Sequence, residues 1–543
     1  MPLHIEPLSS VDSAWLAMEH PTNLMMVTGI MGFPDRLDRE ELQQHLKQRW
    51  LRFRRFRQRV TRPKFPFAPA SWTMAFWETD PDFELDNHLH EVELPPPGDQ
   101  KGLQEVVSAL MSEPLDFARP PWSMHLIQGV EGGSALFIRV HHCIADGIAL
   151  IHVLLSMTDK TPDALPPGAG EEEESTDKED EDPPSLLEEA IDAIFQQATN
   201  AASSLANLTE KVVKETVDAL ANPSKAMELA KHGTGGAATI QRMLLQADDP
   251  QTLFKGTLGT RKVAAWSEPI PLDEVKQVKT ALGGTVNDVL ISAAAGGLRR
   301  FMLAREHHVG GLNFRAAIPV NLRKPEESEK LGDKFGLVFL SLPIGIEDPR
   351  ERLAEVRLRM DELKKSHEAP LFLGLLRSLG YTPQELQSTI VNTLANKITA
   401  VMSNVPGPDV PLYMAGHRID QLMFWVPQAG RVGLGVSILS YAGQVFLGVA
   451  TDEGLVDDPQ GIIEGFLEEY EALVALAGQE PAAAEVAPSP PESEEVTEPE
   501  NAVEEPKEEA PACHATTAGG IACSNPAATG SAYCRVHRGR YES

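Results

Sequence analysis

No stretch of this 543-residue chain approaches 18 consecutive apolar residues, so a membrane-spanning helix is not expected. Cysteine is scarce. Four residues make no disulfide framework, and the expected compartment is reducing and cytoplasmic. Basic charge is also short: 48 Lys and Arg stand against 79 Asp and Glu, giving a net charge of −31. A general nucleic-acid binder wants a basic face, so no nucleic-acid partner is expected. The opening MPLHIEPLSSVDSAW lacks a basic segment followed by an apolar run, and no secretory signal is expected. Familiar catalytic motifs are missing too. There is no HExxH. SNVPGP at 403–408 lacks GxxxxGK[ST], and its prolines remove backbone donors, so it is no phosphate loop. SILSYAG at 437–443 contains no GxSxG elbow, which leaves hydrolase chemistry unsupported.

The acid that is present is unevenly spread. Residues 171–182 hold nine acids and one lysine, and residues 480–509 hold eleven and one. These two runs account for −18 of the −31, so the acidity says little about an active site. Both are expected to be solvated, structureless segments. Elsewhere the chain is rich enough in hydrophobic residues (42% overall) for a sizeable core, and its length suits two to four domains.

Helix-like and strand-like pieces alternate. VDSAWLAMEH reads as a short helix and NLMMVTGIMGF as a strand. DREELQQHLKQRWLRFRRFRQRV places acids first and bases later, which suits a helix and its dipole. Its FRRFRQR run is either a solvated helix face or a phosphate- or membrane-surface patch. SALFIRV at 134–140 is strand-sized. From residue 185, Leu187, Ile191, Ile194, Ala198, Ala201, Leu205, Leu208 and Val212 recur at helical spacing. That amphipathic face packs on protein or lies on a membrane surface. In the second half, TVNDVLISAAAGGLRRFM is expected to be a buried helix. NFRAAIPVNLR, GLVFLSLPIGI and VGLGVSILSYAGQVFLGVA read as strands, and PRERLAEVRLRMDELKK and PQGIIEGFLEEYEALVALAG as helices. The mixture is α/β.

Chemistry concentrates in RVHHCIADG at 139–147, at the end of an apolar strand. Histidine is the side chain most readily used as a base near neutral pH. Consecutive strand residues point to opposite faces. Of His141 and His142, one is therefore expected to face the core and the other a cleft. Asp146 follows one tight turn on, where Gly147 permits unusual backbone. It either orients a histidine or locks the loop through an arginine. A His-His-Asp metal site and a pair of satisfied core histidines are the rivals. Diverging side chains weaken the metal reading. Cys143, amid apolar residues, is expected to pack rather than react.

HHCIADG fits HHxxxDG, and the chain resembles the bacterial wax ester synthase/diacylglycerol acyltransferase family of the coenzyme A-dependent acyltransferase superfamily. LSSVDSAWLAMEHPTNLMMV, PLDFARPPWSMHLIQGV at 114–130, TVNDVLISAAAGGLRR at 285–300, SNVPGPDVPLYMAGHRI at 403–419 and LSYAGQVFLGVATD at 439–452 carry the resemblance in order. It spans about residues 1–478, apart from the acidic insert. Two departures stand out. Pro121 replaces a leucine before Trp122, and Asp333 replaces an asparagine in GDKFG.

The resemblance implies two chloramphenicol acetyltransferase-like α/β domains that exchange elements late in the chain. An N-terminal domain would cover residues 1–159, followed by the acidic insert at 160–184 and a helical crossover at 185–259. A C-terminal domain would cover 260–478, ahead of the acidic linker at 479–512. By the same resemblance, His142 is the general base and His141 its structural neighbour. Asp146, with Gly147, is a structural anchor paired with an arginine. Asn287 and Asp288 support the cleft, with a helix N-cap as the plainer alternative. Pro114, Leu115, Arg119 and Trp122 shape substrate access or pack below the histidine strand. The implied reaction passes a fatty acyl group from acyl-CoA to diacylglycerol or a long-chain alcohol, with no cofactor. The alternatives are another hydroxyl acceptor, or a catalytically degenerate protein of lipid inclusions. Peripheral association with the inner face of the plasma membrane or with lipid inclusions is the expected location.

The tail at 513–543 holds three of the four cysteines. Cys513, Cys523, Cys534 and His537 follow C-x9-C-x10-C-x2-H, with His514 as a competing ligand. So short a segment cannot bury an adequate core alone, and a structural zinc would supply the folding energy. Such a module suits docking of a protein partner. The alternative is a tail whose thiols bind nothing.

Overall fold

The computed structural model describes residues 5–62, 75–145, 147–163, 246–322, 335–366, 369, 372–373, 384–428 and 430–479. The chain divides into two units, Met1–Ala483 and Ala484–Ser543, and all described residues belong to the first. The acidic insert, the amphipathic stretch from residue 185, the Cys/His tail and Asp146 lie outside the described residues.

The first half begins with β1 (Ile5–Pro7), α1 (Ser10–Met18), β2 (Met26–Phe33) and α2 (Arg39–Arg49). Ser9 caps α1 by accepting the Asp12 amide at 3.1 Å, and Asp38 caps α2 through the amides of Glu40 and Glu41. The helix expected to continue through FRRFRQR stops at Arg49. Arg54–Arg57 form a short 3-10 turn, and β3 (Gln58–Thr61) follows. The cause is packing: Phe56 turns inward onto Trp50 with ring centres 3.7 Å apart, which a continuing helix would not allow. The arginines here are largely engaged within the protein. Arg54 and Arg55 reach Glu6, and Arg49 holds Asp159 at 2.7 Å.

After β4 (Phe76–Thr79) come β5 (Leu89–Glu93), α3 (Gln100–Met111), β6 (Trp122–Val130), β7 (Gly133–His141) and α4 (Gly147–Ser156). The second half runs β8 (Lys262–Trp266), β9 (Ile270–Pro271), α5 (Leu272–Leu282), α6 (Val286–Ala304), β10 (Phe314–Asn321), β11 (Phe335–Leu342) and α7 (Pro349–Lys364). It continues through α8 (Gln384–Asn396), β12 (Ala400–Pro406), β13 (Tyr413–Met414), β14 (His417–Arg418), β15 (Gln421–Trp425), β16 (Leu434–Tyr441), β17 (Gln444–Asp452) and α9 (Gln460–Gln479).

Two mixed sheets carry the fold. One has the order β15-β2-β7-β6-β5. The other has the order β11-β10-β12-β16-β17-β8, with β9 also on β17. The late strand β15 thus completes the first-half sheet, pairing antiparallel with β2. VGLGVSILSYAGQVFLGVA is a hairpin of β16 and β17 rather than one strand. Ala442 and Gly443 both take positive φ, 48° and 76°, which matches the twist of a two-residue turn. α6 packs against α7 and α9 behind the second sheet. Its Ala-Gly-Gly run permits the approach, since a β-carbon on Gly297 would stand 2.6 Å from the Phe466 amide nitrogen. Two large apolar cores result, one per half.

Candidate active site

β7 is buried along its whole length. Its side chains alternate. Ile138, Val140 and His142 face a cavity, whereas Arg139 and His141 turn the other way. Arg139 is held there by the carbonyls of Leu110 and Glu113 at 2.8 and 2.9 Å and by the Ser123 hydroxyl at 2.9 Å. Burial lowers its pKa.

His141 is fully buried, edge-on to the Phe117 ring. Its Nδ1 accepts the Cys143 amide at 3.1 Å, so the proton of the neutral ring sits on Nε2. Nε2 stands 3.4 Å from the Glu19 carboxylate. That carboxylate also accepts the Met25 amide at 2.5 Å, and the Met25 carbonyl accepts the His142 amide at 2.7 Å. Glu19 thereby ties the turn before β2 to both histidines. The His142 imidazole stacks on Trp15, with ring centres 4.2 Å apart and planes 25° apart, and it meets the Phe335 ring at 5.8 Å.

The cavity beside His142 has a volume of about 250 Å³ and lies between the two sheets. Its first-half wall is β2, β7 and β15, with Leu150 and Leu154 of α4 at the side. Its second-half wall includes Ala317, Phe335, Leu337 and Val401. Few polar side chains reach it. The Tyr441 hydroxyl is already committed, donating to the Ile419 carbonyl at 2.9 Å and accepting the Leu412 amide at 2.7 Å. Asn404, on β12, lines the cavity. Its amide donates to Asn287 Oδ1 at 2.6 Å, in the first turn of α6.

Asp288 has the plainer role. Its carboxylate accepts the Thr285 amide and hydroxyl at 2.8 Å each, and Thr285 Oγ1 accepts the Asp288 amide at 3.2 Å. This is a complete capping box. It fixes the helix start that presents Asn287 to Asn404.

Of Pro114, Leu115, Arg119 and Trp122, expected either to shape substrate access or to pack below the histidine strand, none lines this cavity. Trp122 is buried on the same face of the sheet as its partner Val140, packed edge-on behind Trp50. Its indole donates to the Phe56 carbonyl at 2.8 Å and stacks on His88. Leu115 is buried, and Arg119 is exposed, 3.7 Å from Asp116. The same segment contacts His141. The Pro121 carbonyl accepts the His141 amide at 3.0 Å, and Phe117 covers the ring. Gly147 opens α4. The anchoring role of Asp146 and the zinc set Cys513, Cys523, Cys534 and His537 fall outside the described residues. Among the described residues, no group of three or more His, Cys, Asp or Glu is placed to hold a metal ion.

Trp15, Glu19, Phe335 and Asn404 complete the site without having been singled out from the sequence. Three of them lie in VDSAWLAMEH and SNVPGP, segments already marked by resemblance. Phe335 is the aromatic residue of GDKFG.

The wax ester synthase/diacylglycerol acyltransferase catalytic domain matches residues 8–290, and the C-terminal domain of the same family matches 331–474. A putative diacylglycerol O-acyltransferase of Mycobacterium tuberculosis is 26% identical over 423 residues, covering 75% of this chain and 77% of its own. A probable diacylglycerol O-acyltransferase of the same organism is 25% identical over 457 residues, covering 81% and 89%. Among solved structures, a wax ester synthase/diacylglycerol acyltransferase from Marinobacter aquaeolei aligns with TM-score 0.61 at 21% identity, over 87% of this chain and all of that one. The first condensation domain of the calcium-dependent antibiotic synthetase aligns with TM-score 0.52 at 14% identity, over 88% and 97%. At these identities the structural likeness speaks to the fold, two acyltransferase-like α/β halves around a shared cavity.

Proposed function

The chain belongs to the wax ester synthase/diacylglycerol acyltransferase family, and on that premise we propose that its cavity joins a fatty acyl-CoA to an acceptor hydroxyl with His142 as general base. It is an O-acyltransferase, and its relatives are named for diacylglycerol as acceptor. Triacylglycerol synthesis is therefore the first reading, with wax ester formation from long-chain alcohols beside it.

The observation that carries this is one imidazole, His142, at the wall of an otherwise mostly apolar cavity between the two sheets. His142 takes the acceptor hydroxyl proton as the oxygen attacks the thioester carbonyl. A tetrahedral oxyanion forms. Its collapse breaks the C–S bond, and the coenzyme A thiolate takes the proton back. No covalent acyl-enzyme is needed, so both substrates must be held together at His142. Asn404 supports the charge. Its amide has two N–H donors and Asn287 occupies one, which leaves the other for the oxyanion.

The test supplies acyl-CoA with diacylglycerol or a long-chain alcohol and follows the lipid ester. His142→Ala is expected to abolish the product while leaving the circular dichroism spectrum unchanged. Equal turnover by that variant would remove His142 as the base.

Peripheral membrane or lipid-inclusion association belongs to the same reading. The acceptor is a lipid, and no helix among the described residues is long and apolar enough to cross a membrane. Flotation with phospholipid vesicles containing diacylglycerol tests it, and recovery of all the protein in the lipid-free fraction would count against it.

A further inference from the structure

Gly29 occupies the middle of β2, directly between Ile138 of β7 and Phe424 of β15. All three line the cavity. Strand residues alternate in direction, so Val27, Gly29 and Met31 share the face toward it. The neighbouring rungs are filled, by Val27 beside Val140 and by Met31 beside Leu422. The rung between them is bare at its centre. A β-carbon on Gly29 would lie 3.3 Å from the Met423 carbonyl oxygen and 3.9 Å from Phe424 Cβ, and would meet nothing else within 4 Å. Its φ is not in the left-handed region, so the backbone does not require glycine there.

The position of this notch relative to the base is fixed by register. The Met25 carbonyl accepts the His142 amide, and Gly29 is four residues further along the same strand. At ~3.3 Å per residue the notch is ~13 Å from the base. That is the reach of about ten carbons of an alkyl chain with C–C bonds of ~1.5 Å.

We infer that Gly29 sets the length of hydrocarbon chain the cavity accepts, because its missing side chain lets a chain run past the rung of Ile138 and Phe424. The inference rests on the acyltransferase reading above and names a specificity-determining residue within it. A side chain at Gly29 would fill the notch and exclude the distal methylenes. Each buried methylene is worth roughly fourfold in affinity, so losing room for two costs about fifteenfold.

Two chains could occupy the notch: that of the acyl donor or that of a long-chain alcohol. Two panels separate them. One runs octanoyl-, decanoyl-, palmitoyl- and oleoyl-CoA against a short alcohol. The other runs octanol to hexadecanol against a short acyl-CoA. Gly29→Val is expected to lower the long-to-short turnover ratio about fifteenfold in one panel, and that panel identifies the chain. Gly29→Ala is the milder variant should valine disturb folding, and it is expected to shift the same ratio less, in the same direction. Gly32→Ala is the control for crowding. It sits on the opposite face of β2, where its β-carbon would meet Gln421 Cβ at 3.1 Å, and it is expected to leave both ratios unchanged.

Binding gives a second readout independent of turnover. Non-transferable thioether analogues of octanoyl- and palmitoyl-CoA, and the matching alcohols, are titrated calorimetrically into wild type and Gly29→Val. A long-to-short affinity ratio unmoved for both ligand classes overturns the inference. Failure of the wild type to transfer any acyl group overturns the acyltransferase reading, and the binding ratios then decide the role of Gly29 alone.

Discussion

The indole of Trp15 lies face to face with the imidazole of His142, centres 4.2 Å apart. The two come from elements far apart in sequence. Trp15 sits on α1, oriented by the Ser9 cap, and His142 leaves the end of β7. An aromatic face beside an imidazole does two things. It fixes the ring plane, and it stabilises the imidazolium formed when the base takes a proton.

Replacing that face therefore costs rate. Trp15→Ala is expected to lower kcat by roughly thirtyfold, in line with ~2 kcal/mol for a desolvated cation–π contact. Trp15→Phe is expected to recover most of it. Steady-state kinetics with saturating acyl-CoA check this. An alanine variant as fast as the phenylalanine one would reduce Trp15 to a space filler.

Asn404 and Asn287 make a second prediction. If Asn404 donates to the oxyanion, Asn404→Ala is expected to lower kcat by about 10²-fold with little change in KM, as removal of such donors does. Asn287→Ala acts through Asn404, so its loss is expected to be smaller. The double variant is expected to be no slower than Asn404→Ala alone. Additive losses would show that the two act separately.

Much of this arrangement was legible in sequence, for reasons that differ from residue to residue. The divergence of His141 and His142 follows from strand geometry alone. The HH strand, the Asn-Asp helix and its cap were legible because their signals are local: an apolar run, a Thr-x-x-Asp start, a 3.6-residue period. What escaped is non-local. Nothing in QLMFW at 421–425 says that β15 joins β2, nearly 400 residues upstream, rather than its sequence neighbours. Nothing in the spacing of Glu19 marks it as the partner of His141. The end of α2 at Arg49 was missed because a tertiary contact, Phe56 on Trp50, overrode helix propensity. The motif around Trp122 left substrate access and packing both open, and its contacts with His141, through Pro121 and Phe117, are tertiary ones that the motif alone does not announce.

Acid sensitivity supplies the third prediction. His125 is buried, and burial together with the nearby Arg139 guanidinium pushes its pKa down to about 3. His45 and His88 are buried and lowered in the same direction. In the unfolded chain these rings protonate near pH 6.5, while in the native state they stay neutral. The unfolded state then binds more protons below pH 6.5, so stability falls with pH from there toward 3. At pH 5.5 the loss from His125 is about 1 kcal/mol. Urea denaturation at pH 7.5 and 5.5 checks this. His125→Gln is expected to reduce the difference, and a midpoint that is flat from pH 7.5 to 5.5 would contradict the assignment.

The tail gives the last prediction, and it stands on sequence spacing alone. Cys513, Cys523, Cys534 and His537 offer three thiolates and one imidazole, a donor set suited to a closed tetrahedral zinc site. Glycines at 519, 520 and 530 suit the turns that would bring them together. We propose that the full-length protein carries one structural zinc there, apart from the acyl-transfer chemistry. Because no metal-competent cluster exists among the described residues, zinc found in the whole chain reports on the remainder. Full-length protein purified under reducing conditions, without chelator, is expected to contain about one zinc per chain by elemental analysis. Cys534→Ser is expected to lose it, and His514→Ala to keep it, since His537 is the assigned imidazole. Zinc-free wild-type protein would refute the site, and loss of zinc from the His514 variant would move the fourth ligand to that residue.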